Sequence, residues 1–176
     1  MLNVLRPALF LRSVYELDFK RLTQRGIQGI IVDLDNTLVG YNRPDASEQL
    51  LHWLATAKSQ GFRLCIVSNN LSARVEEFSR HVGVPGISKA AKPRRRGFWQ
   101  AMALMRTQPS NTAVIGDQVF TDILGGNRLG LYTILVHPLE DREFFTTRLV
   151  RRIEHMVVTR PERIGVRGKP SAPRRR

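Results

Sequence analysis

The chain has 176 residues, 42% of them hydrophobic and 7% aromatic, and carries a net charge of +13. That length suits one domain with a real core, and no uninterrupted apolar run is long enough for a spanning helix. The single cysteine, Cys65, rules out an intrachain disulfide, and the four histidines are scattered without metal-ligand spacing.

The first twelve residues are apolar but interrupted by Arg6, Pro7 and Arg12. They lack a basic start and a small-residue cleavage site, so they do not read as a signal peptide and are expected to pack on the domain. Ile30-Ile31-Val32 has the β-branched content of a buried strand and stops at Asp33-x-Asp35-x-Thr37. Helical spacing follows over 45–60, with Asp45 as the candidate cap and Gly61 as the stop. The pattern then gives a strand over 62–67 ending in Ser68-Asn69-Asn70, and an amphipathic helix over 71–82. A short strand near 86–88 leads to Lys92-Pro93, and a helix follows over 97–105. Thr112 to Gly116 reads as a strand ending in Asp117, 120–129 as a helix, 131–136 as a fifth strand and 141–157 as a last helix. Strand–helix alternation predicts a mostly parallel, Rossmann-like sheet forming one domain over 1–160. Residues 161–176 read as a basic, disordered tail. Cys65 lies inside the second strand and reads as a buried structural thiol.

Four of these five strands stop at polar residues: Asp33, Asp35 and Thr37; Ser68 and Asn69; Lys92; Asp117 and Asp122. In a parallel sheet those ends share one edge, where open α/β sheets bind ligands. Two neighbouring buried acids are costly unless a cation or a reaction needs them, which points to Mg²⁺-dependent phosphoryl chemistry. A Ca²⁺ loop of EF-hand type would need Gly and Glu where Leu38 and Pro44 stand. Ordinary turn or cap residues would explain Asp33 to Thr37 alone, but not all four strand ends together.

The motifs Asp33-Leu-Asp35-Asn-Thr37, Ser68, Lys92-Pro93 and Gly116-Asp117-x₄-Asp122 resemble those of haloacid dehalogenase-like (HAD) phosphatases. Residues 33–39, 66–70 and 115–127 narrow the resemblance to the YqeG family of subfamily IIIA phosphatases, which is related to phosphatidylglycerophosphate phosphatases. The resemblance covers residues 1–150 and implies a three-layer HAD-like Rossmannoid fold. It implies Asp33 as nucleophile, forming an aspartyl-phosphate, and Asp35 as the acid that protonates the leaving oxygen and then activates water. Thr37 and Ser68, with Asn69, are expected to bind the substrate, and Lys92 to neutralise the phosphoryl group. Asp33, Asp117, Asp122 and the Asp35 backbone carbonyl are expected to hold or orient Mg²⁺.

Only 34 residues separate Asp33 from Ser68, and 23 separate Ser68 from Lys92, which leaves no room for a cap domain. An open mouth suits a substrate that brings its own bulk, and Arg94 beside Lys92 is a candidate clamp for a second phosphate. Of the 28 basic residues, 23 are Arg, a bidentate partner for phosphate. The expected enzyme is therefore a cytoplasmic phosphatase acting on phosphatidylglycerophosphate, in peripheral contact with an anionic membrane at its inner face. The alternatives are the same chemistry on a phosphoprotein, nucleotide or nucleic-acid end, or a basic adaptor for RNA or ribosomes with a secondary phosphatase site. No aromatic stacking platform or RNA motif favours the adaptor.

Overall fold

Alternation along the strands decides how the molecule is layered. In β2 (Gly29–Val32), Ile30 and Val32 enter one apolar cluster while Ile31 enters another. In β3 (Arg63–Val67), Leu64 and Ile66 oppose Cys65 and Val67 in the same way. Successive side chains point to opposite faces of a strand, and both faces here are covered, as parallel sheets require. The structure, a computed structural model, describes residues 2–40 and 45–140, which belong to one compact unit spanning 1–142. The helix expected over 141–157, the domain limit at 160 and the basic tail lie outside the described residues.

One face of the sheet packs α1 (Phe19–Gln24), α2 (Glu48–Ser59) and α3 (Ser72–Val82) through Phe19, Leu22, Trp53, Leu54, Val75 and Phe78. The other face packs α4 (Arg95–Met105) through Phe98, Ala101, Met102 and Met105. Phe98 is fully buried, and truncating such a ring to Ala costs about 3–5 kcal/mol. The result is a three-layer α/β fold. No described helix is long and apolar enough to cross a membrane.

Among the described residues the six strands are all parallel, in the order β1-β6-β5-β2-β3-β4, with β5 spanning Thr112–Gly116, β6 Tyr132–Val136 and β4 Gly86–Ile87. The sequence pattern predicts five. The sixth, β1 (Leu9–Leu11), comes from the N-terminal apolar segment and lies beside β6, with Leu9 opposite Ile134. Three half-buried residues carry no readable period, so only the pairing identifies this edge strand.

Two of the departures from expectation have local reasons. Ser47, not Asp45, caps α2, its Oγ accepting from the Leu50 N–H at 3.2 Å. The helix expected over 120–129 is instead a π-helical turn, Val119–Ile123, followed by the short α5 (Leu124–Asn127). Such insertions recur at functional sites because they re-aim a side chain, and this turn contains Asp122.

Candidate active site

The C-terminal edges of the three adjacent strands β5, β2 and β3 bring the candidate residues together. Asp33 extends β2 by one residue, its N–H donating to the Ile115 carbonyl at 2.9 Å. The chain then turns tightly: Leu38 and Val39 N–H both return to the Leu34 carbonyl, and Asn36 takes a left-handed φ of 61°. Asn is among the residues that tolerate that conformation. The turn buries Thr37, whose hydroxyl donates to Asp117 Oδ1 at 3.5 Å. Ser68 follows β3 directly, its N–H donating to the Ile87 carbonyl.

Lys92 ties the centre together. Its Nζ lies 2.5 Å from Asp33 Oδ1 and 2.7 Å from Asp122 Oδ1, with all three residues buried. The loop that delivers Lys92 holds Lys89 at φ 48° and Ala91 at φ 54°, left-handed positions that oppose a Cβ. Asn69 anchors that loop, with its Nδ2 donating to the Lys92 carbonyl and its Oδ1 accepting from the Lys92 N–H at 2.7 Å. Asp122 sits against Gly116, where an added Cβ would run into its carboxyl group, and accepts from the Gln118 N–H at 3.3 Å. Glycine at position 116 is thus required by close approach.

Carboxylate oxygens of Asp33, Asp117 and Asp122 lie within 4.8 Å of one another. Burial, resisted by Lys92 and reinforced by Asp122, pushes the Asp33 carboxyl up to about 7. Burial, reinforced by the charges of Asp33 and Asp122, pushes Asp117 up to about 8. Burial works against the Lys92 cation, but the two carboxylates outweigh it and raise its affinity for a proton. Three carboxylates against one ammonium leave negative charge uncompensated when all are ionised. An all-oxygen set with that excess fits a hard divalent cation such as Mg²⁺.

Asp35 belongs to a different environment. Its Oδ1 meets Arg74 Nη2 at 2.8 Å and Nε at 2.9 Å, and its Oδ2 accepts from Asn70 Nδ2 at 3.1 Å and Ser68 Oγ at 3.5 Å. Arg74 also donates to the Gly40 carbonyl at 3.2 Å, tying the first turn of α3 to the turn after β2. The structure therefore brings together Asp33, Asp35, Thr37, Ser68, Lys92, Asp117 and Asp122. Asn69 is spent on the Lys92 backbone, and Arg94 is an exposed residue preceding α4 whose side chain makes no hydrogen bond or ion pair among the described residues. Sequence reasoning missed Asn70 and Arg74. Their signal was position: Asn70 continues the polar strand end, and Arg74 lies one turn into the helix that follows. Cys65 is buried in β3, and burial pushes its thiol up to about 12, so it offers no nucleophile.

A family model described as HAD-hydrolase-like matches residues 89–138. Over 159 residues the chain is 41% identical to the probable phosphatase YqeG of Bacillus subtilis, covering 90% of this chain and 92% of that protein. It is 28% identical to the chloroplastic phosphatidylglycerophosphate phosphatase 1 of Chlamydomonas reinhardtii, over 91% of this chain but 63% of that protein. Among solved structures it resembles an uncharacterized protein from Listeria monocytogenes serotype 4b, with TM-score 0.53 and 16% identity over 75% of this chain and 98% of that one. At that identity the likeness concerns the fold alone.

Proposed function

Since this chain belongs to the YqeG family of HAD-type phosphatases, we propose that it hydrolyses a phosphomonoester with Mg²⁺ through an aspartyl-phosphate on Asp33, and that its substrate is phosphatidylglycerophosphate. The observation that carries the chemistry is Lys92 bridging Asp33 and Asp122 beside Asp117, at the C-terminal edge of a parallel sheet. Asp33 Oδ1 is engaged by Lys92, which leaves Oδ2 as the attacking atom.

In the first step a bond forms between Asp33 Oδ2 and phosphorus, the ester P–O bond breaks, and Asp35 gives its proton to the departing oxygen. In the second, Asp35 takes a proton from water, the water oxygen bonds to phosphorus, and the Asp33–phosphorus bond breaks to release inorganic phosphate. Thr37 and Ser68 hydrogen-bond the phosphoryl oxygens, and the Lys92 ammonium neutralises charge on them. Asn69 acts through Lys92 by fixing its backbone, and Arg94, exposed just before α4, is the candidate clamp for a second phosphate of the substrate. Asp33, Asp117 and Asp122, with the Asp35 backbone carbonyl, would hold Mg²⁺, which supplies positive charge against the phosphoryl oxygens.

The substrate reading is supported by the relative named as a phosphatidylglycerophosphate phosphatase, and by the single short helices that link β2 to β3 and β3 to β4 among the described residues. The test is Mg²⁺-dependent phosphate release from phosphatidylglycerophosphate in mixed micelles and from nitrophenyl phosphate, with Asp33→Asn as control. Preference for the lipid, lost in the variant, is the expected result. Turnover of the aryl ester alone would keep the chemistry and remove the lipid. No turnover of either would remove both.

A further inference from the structure

Large apolar side chains left in water are unevenly placed on this molecule. Leu71 precedes α3 and is 67% exposed, Phe120 opens the π-helical turn at 59%, and Leu139 follows β6 at 46%. Trp99, in the second turn of α4, is 50% exposed. Each belongs to a segment that begins at the C-terminal end of a strand, on the edge that holds Asp33 and Lys92. Leu139 is tied to that edge directly, its N–H donating to the carbonyl of Asn36 in the turn after Asp33. By contrast, Leu104 closes α4, at the opposite end of the sheet. Leu51 opens α2 on a flank carrying the acids Asp45 and Glu48.

Single exposed apolar residues are ordinary, but several gathered around one mouth mark a contact surface. Arg95 and Arg96 stand one helical turn before Trp99, on the exposed side of α4, and neither has an ion-pair partner among the described residues. Leucine cannot stack on a base, whereas Leu, Phe and Trp beside arginine suit the boundary between lipid headgroups and acyl chains. The charge complement of such a rim is anionic lipid.

We infer that the rim formed by Leu71, Arg95, Arg96, Trp99, Phe120 and Leu139 docks the catalytic mouth onto an anionic lipid surface. This rests on the lipid-phosphatase reading above and says how that substrate arrives: the rim lies on the membrane, and a phosphorylated headgroup meets Asp33 without leaving the bilayer. The apolar side chains supply insertion, and the arginines supply attraction that weakens with salt.

The experiment is flotation of the full chain with phosphatidylcholine vesicles, with and without phosphatidylglycerol, over a range of salt. It compares wild type, Trp99→Ser/Phe120→Ser, Arg95→Gln/Arg96→Gln and Asp33→Asn. Nitrophenyl phosphate turnover without vesicles reports folding and chemistry. The expected result is salt-sensitive partition of wild type onto anionic vesicles, reduced about tenfold or more in each double variant. Aryl phosphate turnover should be unchanged in both double variants, and Asp33→Asn should float normally while turning over nothing. Equal partition of the Trp99→Ser/Phe120→Ser protein overturns the docking surface. So does binding of a single-stranded RNA or an acidic peptide through these residues without binding to vesicles. Flotation of wild type without aryl phosphate turnover strikes the catalytic reading instead, so the two failures are distinguishable.

Discussion

Asp33 and Asp35 are two residues apart on one turn, yet they occupy opposite electrostatic worlds. Asp33 is buried against Lys92 and faces two further acids, so that burial and crowding push its carboxyl up to about 7. Asp35 is ringed only by donors: Arg74, Asn70 and Ser68. The strand keeps Asp33 in register with β5, while the turn swings Asp35 toward α3. A single loop can thus give two identical side chains different partners, a buried cation and two further acids for Asp33 and a set of hydrogen-bond donors for Asp35.

The most severe way to break this contrast is to remove the cation on the Asp33 side. Lys92→Met strands two buried carboxylates and should cost about 3–5 kcal/mol of stability by denaturant unfolding. Phosphate release should fall about a thousandfold. Because the stranded acids can protonate at low pH, the stability loss should be greater at pH 8 than at pH 5. An equal loss at both would show that Asp33 and Asp122 do not depend on Lys92 for their charge.

Arg74→Met attacks the other side, removing the ion pair with Asp35 together with the hydrogen bond to the Gly40 carbonyl. Turnover of an alkyl phosphate should fall about tenfold to a hundredfold, while nitrophenyl phosphate, whose leaving group needs little protonation, should suffer less in its first step. The ratio of the two rates in variant and wild type is the measurement. A uniform loss on both esters would make Arg74 merely structural.

The gentlest test changes only pH and Mg²⁺. Asp33 and Asp117 are raised from 3.8 to about 7 and about 8, so the folded chain holds protons that the unfolded chain has released. The stability linked to those protons is fully present below about pH 4 and is lost as pH rises through 7 and 8. Without metal, Tm should therefore decline by a few degrees between pH 5.5 and 8.5. Because the cation takes ionised carboxylates, Mg²⁺ should raise Tm more at pH 8.5 than at pH 5.5. A Mg²⁺ shift independent of pH would separate the metal from these acids.

Much of the site was legible because it is written at strand ends. A β-branched run that stops at Asp33, Ser68 or Asp117 announces both the strand and the edge on which its last polar residue stands. Arg74 was not legible, since an arginine in the first turn of an amphipathic helix reads as a solvated charge until Asp35 is found within reach. Asn69 suggested a substrate contact by its position after Ser68, but only the folded loop shows its amide closed on Lys92. The edge strand β1 and the π-helical turn around Asp122 were equally hidden. One is too short to show a period, and the other differs from a helix by a single inserted residue.

The sequence by itself determined the parallel α/β plan and the family, because hydrophobic period and polar strand ends are local properties of the chain. It also put Asp33, Ser68, Lys92 and Asp117 on one edge, since parallel strands all end on the same side. Tertiary structure alone decided which acid meets which cation. That choice depends on side chains far apart in the chain reaching within about 3 Å of each other, and no local pattern encodes such a distance.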